Sequence, residues 1–170
     1  MPSTTIASRT DRTLLVLLIL FSVSELLSAL IDLPSLQIAH ATPTLGWRFA
    51  SFVSDTRTVL APLIAGTAFV FAVAGMLPRA IVAMAVLILV KGFDALAWVV
   101  AMRDASVALD FLGARMFAVR YVYPVLAVAA LVLIRRGARL GLAGALVSIP
   151  TGLSWLFWSF VFVLIATDPD

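Results

Sequence analysis

The chain has 170 residues, 63% of them hydrophobic and 12% charged, with a mean hydropathy of +1.13. A soluble domain is ordinarily about 45–50% apolar and about 25% charged, and a core of this size cannot hide so much apolar surface from water, which excludes a soluble globular enzyme. The net charge of +3 is scattered among apolar runs instead of forming the clustered basic face that nucleic acid requires, so nucleic acid is excluded as a partner and the lipid bilayer is expected as one.

Cys is absent and His40 is the single histidine. That removes disulfides, thiolate nucleophiles, iron–sulfur clusters and multi-histidine metal centres within one chain, and no cofactor or metal is expected. A membrane span needs about 20 mainly apolar residues. Five stretches meet this requirement, at 14–31, 59–77, 80–101, 117–134 and 140–165. The expected fold is therefore an all-α integral membrane protein, a single transmembrane domain built as a five-helix bundle.

The first stretch follows Arg9 and Arg12 and contains Ser22-Val23-Ser24, a pattern that also suits a signal peptide. Its apolar run resumes at Leu26 and continues to Ile31, so a retained span is expected. The segment between the first two spans mixes Pro34, Pro43 and Gly46 with Trp47, Phe49, Phe52 and Val53. Its second half reads as an interfacial helix on the outer side. His40, in the same segment, could ligate a pigment magnesium or a haem iron, although a lone loop histidine is more often simply solvated. Leu77-Pro78-Arg79 reads as a tight turn, and Arg135-Arg136-Gly137-Ala138-Arg139 as a basic turn.

The last stretch is longer than a bilayer requires, about 39 Å if straight. Pro150, which removes a backbone donor, is expected to kink or break it near Gly152. Gly137-x-x-x-Gly141, with Gly144 and Ala145 after it, fits close helix packing.

With a cytoplasmic N-terminus, Arg9, Arg12, Arg79, Arg135, Arg136 and Arg139 lie inside, and Arg48, Arg57, Arg103, Arg115 and Arg120 outside. Basic residues favour the cytoplasmic side, so the expectation is a cell inner membrane protein with its N-terminus inside and its C-terminus outside.

Glu25, Lys91 and Asp94 fall well within spans, where a lone charge costs about 2.5–3.5 kcal/mol or more. They should face inward and pair. Lys91 and Asp94 are three residues apart, hence neighbours on one helix face. Glu25 and Lys91 each lie eleven residues into spans that run the same way, about 16 Å from one boundary. A buried Glu25–Lys91–Asp94 cluster is predicted, as a structural lock between the first and third helices or as a relay or polar binding site. Arg120, beside Tyr121 and Tyr123, is either a snorkelling cation or a further partner of the cluster. Ser22, Glu25, Ser28 and Asp32 share one helical face.

Neither H-E-x-x-H, G-x-S-x-G nor a P-loop occurs, and no catalytic residue is expected. Two functions follow. One is a non-catalytic multi-pass subunit or assembly factor of a larger membrane complex, with other membrane chains or copies of itself as partners. The other is a small oligomeric carrier for a solute, lipid or ion that uses the charge cluster.

Overall fold

In a computed structural model, the described residues are 9–34, 45–102, 115–137 and 139–167. They form α1 (Arg9–Asp32), α2 (Leu45–Val73), α3 (Leu77–Met102), a π-helical turn (Ala118–Val122) that runs into α4 (Tyr123–Arg135), and α5 (Leu140–Thr167). No strand occurs among the described residues. Five helical stretches are long and apolar enough to cross a membrane: Arg12–Asp32, Leu45–Val73, Leu77–Ala101, Arg115–Arg135 and Leu140–Thr167.

The expected interfacial helix is not a separate element. The segment is the first half of α2, a continuous helix of 29 residues. Its buried side is a stripe of mostly small residues, with Ala50 and Val53 leading through Thr58 to Ala61, Ala65, Ala68 and Ala72. These let α2 lie close along α3 over its whole length. The polar residues in the middle do not interrupt it, because the Thr56 and Thr58 hydroxyls donate to the Phe52 and Ser54 carbonyls one turn back. Trp47 packs edge-on against Trp98, ring centroids 5.1 Å apart, and fixes the start of α2 beside the end of α3.

The turn between α2 and α3 is also displaced from its expected place. Gly75 takes a left-handed φ of +72° and donates its N–H to the Ala72 carbonyl at 3.0 Å, while Met76 donates to Phe71 at 2.8 Å. This glycine-capped ending closes α2 before Leu77. Pro78 then sits in the first turn of α3, where a missing N–H costs little. Pro150 and Gly152 do not divide the last stretch into two elements. The helix runs from Leu140 to Thr167 through Pro150, and both Pro150 and its neighbour Thr151 are buried. A proline removes one donor, and a helix can continue through that loss where neighbouring helices and side chains satisfy the freed groups.

Successive helices pack side by side and α5 closes back onto α1, with α3 in contact with all of the others. Half of the most apolar stretch of α3 is buried, against 17–28% in the other helices. Leu26 approaches Gly66 and Asp32 meets Arg57, so α1 and α2 are antiparallel. Leu14 fits against Gly144 and Glu25 against Thr151, so α1 and α5 are parallel. One end of the bundle therefore collects Arg12, Arg79, Arg135, Arg136 and Arg139. The core of that half is apolar, with Leu18, Ile81, Met84, Leu87 and Val147 fully buried.

Two glycines mark where a side chain of a neighbouring helix occupies the place of a Cβ. A Cβ at Gly92 would fall 2.4 Å from the Pro124 Cγ, and one at Gly144 would fall 2.5 Å from the Leu14 Cδ2. Gly141 has nothing within 4 Å of such an atom, so within this chain the close-packing position is Gly144. The Gly92 neighbour is a rigid ring, so Gly92→Ala is expected to cost about 1–3 kcal/mol by overpacking. Gly141→Ala should change stability by less than about 0.5 kcal/mol. Thermal unfolding of the two variants in the same detergent checks the contrast.

Candidate functional site

Five charged residues of the helices, Glu25, Asp32, Arg57, Lys91 and Asp94, form two adjoining groups. On α1, Glu25 lies seven residues before Asp32, about 10 Å along the axis. Its carboxylate forms an ion pair with the Lys91 ammonium of α3 through Oε2, and its Oε1 accepts a hydrogen bond from the Thr151 hydroxyl of α5 at 2.8 Å. Glu25 is 14% exposed. One carboxylate thus ties three parallel helices together.

The second group forms one turn further toward the Asp32 end. Arg57 of α2 places Nε 3.4 Å from the Asp94 Oδ2 of α3 and Nη2 3.6 Å from the Asp32 Oδ2 of α1. Asp94 is 10% exposed and Asp32 48%, so the guanidinium reaches from a buried acid to one at the bundle rim. Between the two groups, Ser28, Asp32, Arg57, Thr58 and Lys91 line a cleft of about 10 Å³, room for about one water molecule.

The predicted cluster is therefore divided. Glu25 and Lys91 come together. Asp94, although one turn from Lys91, is held by Arg57, because α2 packs along that face of α3. The sequence places Arg57 on the outer side, in the segment read as an interfacial helix, whereas the structure sets it inside the long helix α2. The signal for that longer helix is the small-residue periodicity on both sides of Arg57. Arg120 lies on the π turn, forms no ion pair among the described residues, and keeps a buried Nε without a hydrogen-bond partner. Pro150 and Gly152 flank Thr151, the third contributor to the Glu25 site, which had no separate signal beyond its place beside the proline.

The polar face of α1 is used unevenly. Ser22 is buried and donates to the Ile19 carbonyl at 3.0 Å. Ser24 accepts a hydrogen bond from the Trp155 Nε1 at 2.7 Å, and Phe21 packs edge-on against the same tryptophan with centroids 5.3 Å apart. Ser24, Ser28, Asp32 and Trp155 line an open groove of about 500 Å³ between α1 and α5. Arg115 stacks over Phe157, its guanidinium carbon 4.4 Å from the ring centroid. No group of three or more potential metal ligands occurs among the described residues, and His40 lies outside them.

What this arrangement does chemically is neutralise charge. Glu25, Asp32 and Asp94 each have a cation beside them, and each pair joins two different helices. The class defined is an all-helical, five-span chain compatible with a multi-pass membrane protein, with an ionic network between its helices. Comparison with protein-family models, curated proteins and solved structures gives no match.

Removing one member of a desolvated pair costs more than removing both, because the survivor is left uncompensated. Lys91→Met is expected to destabilise by about 1–3 kcal/mol, a range reduced for partial exposure. Adding Glu25→Gln should recover at least about 1 kcal/mol of that loss. A double-mutant cycle by denaturation in detergent micelles reads the coupling, and strictly additive losses would remove the pair from the account.

Proposed function

We propose that the chain is a non-catalytic multi-pass subunit or assembly factor of a larger membrane complex. The observation that carries this reading is that four helix-interior charges are spent on one another, Glu25 on Lys91 and Asp94 on Arg57, across three helices. Paired in this way they hold a scaffold. The apolar packing of the other half of the bundle, around Leu18, Ile81 and Met84, suits the same role. The outward side of α5 presents Leu156, Trp158 and Phe162, each more than half exposed, to lipid or to a neighbouring chain.

The proposed setting is the cell inner membrane, N-terminus in the cytoplasm and C-terminus outside. With Arg57 and Arg120 inside helices, the outward flanks keep Arg48, Arg103 and Arg115. The opposite flanks keep Arg9, Arg12, Arg79, Arg135, Arg136 and Arg139. That imbalance supports the orientation through the preference of basic residues for the cytoplasmic side.

A second reading, an oligomeric carrier for a solute, lipid or ion, draws support from the groove between α1 and α5. Its lining shares Ser28 and Asp32 with the small cleft that reaches Lys91 and Arg57. Native mass spectrometry of the full chain in a mild detergent separates the two. The subunit reading expects unlike chains in stoichiometric association, and expects Glu25→Gln and Asp94→Asn to lower the amount of assembled complex. A homo-oligomer that keeps its level in both variants but loses a retained small molecule would replace it with the carrier.

A further inference from the structure

At the arginine-rich end of the bundle a second groove, of about 490 Å³, runs between α2 and α3. It has no part in the charge network. Its walls are apolar, with Leu63 and Ile64 on α2 facing Val82 and Val86 on α3, and Ala83 as a small floor. Val86 lies seven residues from Arg79 along α3, so the hollow extends about 10 Å along the helix axis. This volume lies within the range of ligand-sized pockets.

The mouth of the groove carries a cation with its orientation set. The Arg79 guanidinium lies over the Phe71 ring, 5.9 Å from its centroid, and donates through Nη1 to the Met76 sulfur at 3.4 Å. Both Arg79 and Phe71 line the groove. A guanidinium carries five N–H donors arranged to take a phosphate in two-point fashion, and a thioether is a weak acceptor for one of them. No ion pair to Arg79 occurs among the described residues. The neighbouring flanks hold Arg135, Arg136 and Arg139, all exposed, so an anion is favoured at this end and a cation disfavoured.

We infer that this groove is a binding site for an anionic glycerophospholipid, with one acyl chain in the Leu63–Val86 hollow and the headgroup phosphate on Arg79. The two halves of the ligand match the two halves of the site. The hollow alone accepts any acyl chain, and the arginine supplies the choice of headgroup. Thr67 lines the middle of the groove with its hydroxyl already turned back to the Leu63 carbonyl at 2.8 Å, so the wall stays apolar to a bound chain. The inference is independent of whether the chain serves as a subunit or a carrier.

The test is native mass spectrometry of the full chain titrated with phosphatidylglycerol or phosphatidylcholine of equal chain length. One phosphatidylglycerol per chain is expected to be held in preference. Arg79→Gln should lower its occupancy about tenfold, the loss of one charge-assisted contact, and bring the two lipids level. Thr67→Phe, which fills the groove from an exposed position, should remove the retained lipid of either kind while the melting temperature of the lipid-free chain stays within a few degrees. Equal retention of both lipids by the parent chain would overturn the inference. So would a loss in Arg136→Gln as large as that in Arg79→Gln, since a diffuse field would then be doing the binding.

Discussion

An ionised side chain taken from water into hydrocarbon loses solvation worth several kcal/mol, and only a partner at hydrogen-bond or ion-pair distance returns it. On the membrane-spanning reading, that constraint governs this chain. Glu25 on α1 is balanced by Lys91 on α3, and Asp94 on α3 by Arg57 on α2. The helices that carry these residues cannot slide or rotate independently without stranding a charge. The network therefore sets the register of α1, α2 and α3, and Thr151 extends it to α5.

Packing supplies what the ion pairs need. The alanine stripe of α2 lets it lie beside α3, where Arg57 meets Asp94, and the glycines at 92 and 144 admit Pro124 and Leu14 of neighbouring helices. The central position of α3 follows from the same logic. It carries both Lys91 and Asp94, whose partners lie on two neighbouring helices, α1 and α2, and it is the helix in contact with all the others. Specificity of register is the use for buried ionic groups that is best attested. It is also the use that a subunit presenting a fixed outer surface requires.

Much of this was legible in the sequence because hydrophobicity over 20 residues is a strong signal. Each of the five apolar stretches overlaps one of the five long apolar helices, although the second helix begins at Leu45 and not at 59, and cost alone points to the paired charges Glu25 and Lys91. What escaped was information carried by three-dimensional pairing. Asp55-Thr56-Arg57-Thr58 reads as an interface by composition, yet Ala50, Val53, Ala61 and Ala65 continue one helical stripe through it, and that stripe outweighs the local polarity. Pro150 reads as a breaker by chemistry, yet it lies buried inside one continuous helix. The turn at Gly75 was obscured by Pro78, which marks a helix start as readily as an end. The π turn at Ala118–Val122, beside Gly92 and Pro124, has no signature in residue spacing.

The most direct test of the central claim is a charge exchange read as folded protein retained in bilayers. Glu25→Lys alone and Lys91→Glu alone each place two like charges at one contact, and both single variants are expected to lose most folded protein. Glu25→Lys combined with Lys91→Glu restores opposite charges and is expected to recover a substantial part of it. Recovery in the exchanged variant would establish that the two helices are held by this pair. Single reversals that accumulate as well as the parent chain, or an exchange that fares no better than either reversal, would contradict it.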